Sequence, residues 1–232
     1  MKVLGIDTSA IVCSVALVSD DETLACKTVS DGLTHSETLL PLIKAILEET
    51  NTAVRNLDAI AVSHGPGSFT GLRIGISAVK GLAVSSDIPC IGVSTLEALA
   101  MNALEKEGSI ICAVMDARRG EFYNAIFRVQ NHNLVRLCDD RAEHGCKIAE
   151  ELSAFDNVLI LGDGAEKFVQ QNPQFSESFA SQDIRYQSGN SVARLGLSLM
   201  KSGRSSACSE LSPKYLRLPQ AEREWNEKHN KK

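Results

Sequence analysis

No cysteine in this chain stands at redox or metal-ligand spacing from another cysteine or from a histidine. The seven cysteines, Cys13, Cys26, Cys90, Cys112, Cys138, Cys146 and Cys208, are scattered and odd in number, with no CxxC and no CxxH. That excludes a disulfide framework and a thiolate zinc site, and leaves the expectation of small buried hydrophobes in a reducing compartment. The five histidines show no HxxH, HxxxH or HExxH. A helical metal site is therefore not visible. Basic charge is also scarce: the formal net charge is -5, against a protein whose main task is gripping phosphate backbones. The one dense basic cluster, Lys228 to Lys232, follows Glu222, Glu224 and Glu227 and is expected to be a solvated tail, with Trp225 beside it an ordered surface contact or part of a disordered end. No uncharged apolar run is long enough to cross a bilayer. The apolar stretch after Lys2 is broken by Asp7 and alternates like a strand, which argues against a signal peptide and for the cytoplasm.

What is present suffices for a sizeable core, since 44% of 232 residues are hydrophobic. Lys2 to Ile6 and Ile11 to Val18 flank the turn Asp7-Thr8-Ser9 and predict a hairpin, with a third strand over Thr23 to Val29. Thr34-His35-Ser36-Glu37 has the form of a capping box ahead of Leu39, Leu40, Leu42, Ile43, Ile46 and Leu47, in a helix that Pro41 should bend. A strand from Asp58 to Ser63, a turn at His64-Gly65-Pro66-Gly67, a helix from Ser68 to Ser85, a strand from Ile88 to Val93 and a helix from Ser94 to about Lys106 follow. The plan then restarts with strands at Ile110 to Met115 and Glu121 to Val129 around an Asp116-headed turn. Val158 to Leu161, Gly162-Asp163-Gly164 and a helical Ala165 to Gln170 complete the echo. This order predicts an α/β chain of two lobes, each a mixed sheet flanked by helices, with residues 1–106 in one lobe, 107–218 in the other and a charged tail at 219–232. The last helix of the second lobe is expected to pack on the first.

The stretch GPGSFTGLRIG, Gly65 to Gly75, is the most distinctive. It invites comparison with a phosphate loop but lacks the GxxxxGK[ST] lysine, so its glycines are expected to serve turns and close backbone approach, with Gly71 and Gly75 admitting another helix. Gly71, Gly75, Ala78 and Gly81 or Leu82 form one stripe, which either packs within the chain or meets a partner. Asp7-Thr8-Ser9 and the Asp116 turn stand where a phosphate-binding hairpin would need glycine, and Thr8 takes that place in the first. Gly162-Asp163-Gly164 is the one nucleotide-like element, and backbone needs alone can explain it. Ser9, Ser63 and Ser68 lie in no GxSxG nucleophile setting.

Together, IDTSAIVCSVAL near the start, THSETLLPLI, AIAVSHGPGSFTGLRIGISAVKGLA, IGVSTLEALA and PKYLR at Pro213 resemble the TsaB (YeaZ) family. The resemblance implies a two-lobed actin-like fold of the ribonuclease H-like superfamily. It implies a non-catalytic subunit for threonylcarbamoylation of adenosine 37 in tRNA, acting with the catalytic subunit TsaD and the ATPase TsaE, a homodimer when alone, and touching tRNA only through the complex. It places partner contacts on the helices near Thr34 and Ser68: His35, Glu37, Leu39, Leu42, Ile46, Gly67, Phe69, Thr70, Gly71, Arg73, Ile74, Gly75 and Ala78. A degenerate nucleotide site would comprise Asp7, Thr8, Ser9, Gly162, Asp163 and Gly164, holding ATP or ADP only weakly or at a complex interface. Where the TsaD relatives carry two metal-binding histidines, this chain has Thr95 and Leu99, which cannot hold a divalent ion. The alternatives are a stand-alone actin-like ATPase or kinase, which the missing turn glycines disfavour, a glycoprotease-like hydrolase, which the missing ligands disfavour, and a polymerising actin-like protein.

Overall fold

The computed structural model describes residues 1–20, 22–30 and 34–217. The charged tail, Trp225 and the Lys228 to Lys232 cluster lie outside the described residues.

The first sheet is built from β1 (Lys2–Asp7), β2 (Cys13–Ser19), β3 (Glu22–Val29), β4 (Ala59–Gly65) and β5 (Cys90–Ser94), in the order β3-β2-β1-β4-β5. Neighbours β1, β2 and β3 pair antiparallel, while β4 and β5 run parallel to β1, with Ile6 opposite both Val15 and Val62. Its central strands are near-continuous apolar runs because both faces are covered. On one face Leu4, Ile6, Val15 and Val62 pack with Leu39, Ile43 and Ile46 of α1 (His35–Glu49) and Ile76 and Val79 of α2 (Phe69–Val84). On the other, Val3, Ala61, Ile91 and Val93 meet Val192 and Ala193 of a helix that comes last in the described chain.

The second sheet repeats the plan with β6 (Ile110–Asp116), β7 (Glu121–Gln130), β8 (Asn133–Arg136), β9 (Arg141–His144) and β10 (Val158–Leu161), ordered β10-β6-β7-β8 with β9 also on β7. The helix α3 (Thr95–Ala100) covers one face through Leu96 and Leu99. The helices α4 (Gly145–Leu152) and α5 (Ala165–Gln171) cover the other, where Phe122, Phe168 and Phe175 meet. A four-residue α6 (Gln182–Arg185) then leads to α7 (Gly189–Lys201), the helix that returns to the first sheet.

Local chemistry accounts for the element ends. The Glu37 carboxylate accepts from the Thr34 backbone N–H at 3.2 Å, closing the start of α1, and the Ser68 and Ser94 hydroxyls accept from the Gly71 and Glu97 N–H groups at the starts of α2 and α3. The helix α1 continues through Pro41, which stands on its exposed side. The structure shortens α3, which gives way to a 3-10 turn at Met101–Ala103 instead of reaching Lys106. Two of the seven cysteines, Cys26 and Cys146, are exposed, contrary to the expectation of burial, and all seven are free thiols. No helix among the described residues is long and apolar enough to cross a membrane.

Candidate functional site

Between the lobes lies a cleft of about 570 Å³, bordered by Ala10, Ile11, Ser68, Phe69 and Thr70 on one side and by Asp116, Ala117, Arg118, Tyr123 and Asp163 on the other. Its two walls are the turns that join β1 to β2 and β6 to β7. In the first turn Asp7 is 1% exposed, and its carboxylate accepts from the Ser9 N–H at 2.9 Å, the Ser9 hydroxyl at 2.7 Å and the Ser63 hydroxyl at 2.5 Å. Burial pushes its pKa above the ordinary value, opposed by the Ser63 and Ser9 hydrogen bonds and the His35 charge. In the second turn the Asp116 carboxylate accepts from the Arg118 N–H at 2.8 Å and from the Lys167 ammonium at 2.8 Å. One amide in each turn, that of Ser9 and that of Arg118, thus already donates to the aspartate of its own turn.

Thr8 does not act as the sequence suggested. Instead of standing in the cleft it is fully buried, with its hydroxyl donating to the Gly71 carbonyl at 2.8 Å. The loop Gly162-Asp163-Gly164 serves backbone packing: a Cβ on Gly162 would stand 1.9 Å from the Val114 carbonyl oxygen, and one on Gly164 would stand 2.8 Å from the Met115 backbone. Asp163 itself borders the cleft, accepts from the Gln187 amide at 3.3 Å, and has its pKa raised to about 6 by burial, helped by the charges of Asp116 and Asp7. Since the folded value lies above the ordinary one, the associated stability is complete below about pH 4 and is lost as pH rises through about 6. Asp163→Asn should therefore stabilise the protein by on the order of 1 kcal/mol at pH 8 and not at all at pH 4. Chemical denaturation at the two pH values checks this; an equal effect at both would show that ionisation is not what the cleft resists.

Thr95 and Leu99 are both buried, Leu99 inside the second lobe's core. Among the described residues no group of three His, Cys, Asp or Glu is arranged to hold a metal ion.

On α1 and α2 the predicted contact residues divide. Leu39, Leu42 and Ile46 are 1%, 9% and 0% exposed and belong to the chain's own core. Gly71 and Gly75 face the first turn: a Cβ on Gly71 would stand 1.9 Å from the Thr8 carbonyl oxygen, and one on Gly75 would stand 2.5 Å from the Thr8 hydroxyl. These glycines admit a turn of the same chain and not another helix. Gly67 likewise makes room for Ser9, where a Cβ would stand 2.5 Å from its carbonyl oxygen. His35 Nε2 lies 2.8 Å from the Ala10 carbonyl oxygen, and Phe69 and Arg73 engage Tyr215. Leu39, Leu42, Ile46, Gly67, Gly71, Gly75, Phe69 and His35 are therefore occupied within the chain. Glu37, Thr70 and Arg73 remain exposed, and Ile74 and Ala78 half-buried. Apolar residues left out of that contact set are Leu40, 56% exposed on α1, and Leu82 and Val84 on α2, half-buried and 73% exposed. The signal was available: six apolar residues among nine in α1 exceed what one helix face can bury.

Two lobes, each with three antiparallel strands, a fourth strand parallel to the first and helices on both faces, make this a two-lobed actin-like fold. A family model described as TsaD, tRNA N6-adenosine threonylcarbamoyltransferase, matches residues 32–225. The tRNA threonylcarbamoyladenosine biosynthesis protein TsaB of Bacillus subtilis is 33% identical over 98% of this chain and 99% of its own length. TsaB of Escherichia coli is 41% identical over 55% of each chain. Among solved structures, YeaZ from Pseudomonas aeruginosa superposes with a TM-score of 0.75 at 26% identity, covering 93% of this chain and 99% of that one. The chain belongs to the TsaB (YeaZ) family.

Proposed function

We propose that this chain is a subunit without chemistry of its own in tRNA threonylcarbamoyladenosine biosynthesis. It docks through α1 and α2 on the catalytic subunit TsaD, acts with the ATPase TsaE, and makes the assembly competent to modify adenosine 37 in tRNAs reading codons that begin with A. Alone it pairs with a second copy through the same face, and it reaches tRNA only through the complex. Its cleft binds ATP or ADP weakly, or only with groups that a neighbouring subunit adds. The observation that carries this reading is the commitment of the cleft's turns. The Ser9 and Arg118 amides are held by Asp7 and Asp116, and the Ser9 and Ala117 carbonyls accept from the Ser68 N–H and the Arg217 guanidinium. A nucleotide phosphate would have to displace charge-assisted bonds to enter, one of them the buried Ser9–Asp7 bond.

Calorimetric titration of the isolated chain with ATP and magnesium should give a Kd no tighter than about 100 µM, about -5.5 kcal/mol. In a modification assay supplied with the threonylcarbamoyl-adenylate donor, the chain alone should leave tRNA unmodified, and adding TsaD and TsaE should restore turnover. Micromolar ATP affinity, or modification by the chain alone, would overturn the reading in favour of a stand-alone enzyme.

A further inference from the structure

The PKYLR segment at Pro213 to Arg217 crosses from one lobe to the other, and the docking function leaves it unexplained. Upstream of it, Leu211 is 3% exposed in the first lobe's core, while Leu216 packs against the second lobe's. Between them the Lys214 N–H donates to the His64 carbonyl at 2.7 Å, and Gly65 lies so close that a Cβ there would stand 2.2 Å from the Lys214 carbonyl oxygen. The Tyr215 ring stacks on Phe69 with centroids 4.2 Å apart, and its hydroxyl accepts from Arg73 Nε at 2.8 Å. Two residues on, the Arg217 guanidinium donates to the Ala117 carbonyl at 2.6 Å and pairs with Glu121, both at the β6–β7 turn.

We propose that residues 211–217 form a latch across the lobe junction, in which Tyr215 positions the first turn of α2, Arg217 positions the β6–β7 turn, and the two ends open and close together. Three features make the ends dependent on each other. The segment contains no helix or strand, so few bonds of its own hold its shape. Tyr215 and Arg217 are separated by one residue that is itself wedged into the second core. Phe69 and Arg217 both border the cleft, so the latch sets the width at which the two turns face each other. Arg73, on the exposed side of α2, is tied to the same tyrosine. An event at the second lobe therefore reaches the outer face of α2 through a side-chain stack, since the two lobes have separate sheets. The latch stands whether or not α2 is the docking face.

Amide hydrogen exchange on the intact chain tests the coupling. Arg217→Ala removes the bonds to Ala117 and Glu121 of the second lobe, and it should accelerate exchange at residues 68–72 of the first lobe by roughly tenfold, as Tyr215→Ala does, while β1, β4 and α7 keep their protection. Arg217→Lys, which keeps a cation beside Glu121, should restore most of the loss. Glu121→Gln provides a second way to release the same end and should reproduce the pattern. Faster exchange confined to residues 116–121 in Arg217→Ala would overturn the proposal, because the two ends would then be independent. Global loss of protection in both Arg217→Ala and Glu121→Gln would overturn it as well, since the segment would then be part of the cooperative core.

Discussion

Gly71→Ala should destabilise the protein by about 3 kcal/mol, although alanine in a helix is favoured over glycine by roughly 1 kcal/mol. The reason is the Thr8 carbonyl oxygen, which would stand 1.9 Å from the new Cβ and belongs to backbone that cannot turn aside. The same displacement breaks the buried bond from the Thr8 hydroxyl to the Gly71 carbonyl. Gly81, in the same helix, is exposed, and a Cβ there would meet nothing within 4 Å. Gly81→Ala should therefore stabilise by about 0.5–1 kcal/mol. Urea unfolding of the two variants decides the matter, because helix propensity alone demands the same sign for both. Gly75→Arg extends the argument: it drives a long cation toward Thr8 and Val62 and should yield no folded monomer, instead of the folded non-pairing protein that a partner-facing stripe would give.

That reversal marks where the sequence stops being informative. The hairpins, the capping box at Thr34, the extent of α2 and the strand–turn–helix echo at Val158 were all legible, because each depends on residues close together in the chain. A stripe of small residues at three- and four-residue steps shows that something approaches the helix closely, but not what. Here it is the β1–β2 turn, some sixty residues upstream. Thr8 misled for the same reason: its position in the chain matched a phosphate hairpin, while its side chain points into the packing under α2. The four-residue strands β8 and β9 were missed because they are too short for alternation to register. A last helix packing on the first lobe was expected but given no range, because Gly189 and Gly196 lower the propensity of α7, yet Gly196 is what lets it lie on the sheet, where a Cβ would stand 2.4 Å from that of Ala61.

Once the glycines are assigned to the interior, the proposed docking face is drawn again from what α1 and α2 leave uncovered. Leu40 is 56% exposed on α1. Across a groove bordered by Leu40, Lys44 and Leu82, the residues Ile74, Ala78 and Leu82 of α2 are half-buried, with the exposed Ser77 among them and the open space over Gly81 one turn further on. A surface of this kind, apolar at the centre with Arg73 and Lys44 at its border, matches the pattern of a protein–protein contact. The double variant Leu40→Arg with Ser77→Arg should keep its fold, because both side chains start from exposed positions and can extend into water when the chain is alone. In a contact made by this face each new guanidinium would be desolvated without a partner. In a two-fold symmetric pair the added cations would stand on both sides of the contact. Association with TsaD and with a second copy should each weaken at least about a hundredfold, about 2.7 kcal/mol. Sedimentation for the self-pair, surface capture of TsaD for the mixed pair and a melting curve for the fold together read the outcome. A variant that melts as the parent does and still binds both would remove this face from consideration, whereas loss of one association alone would show that the two assemblies do not share it.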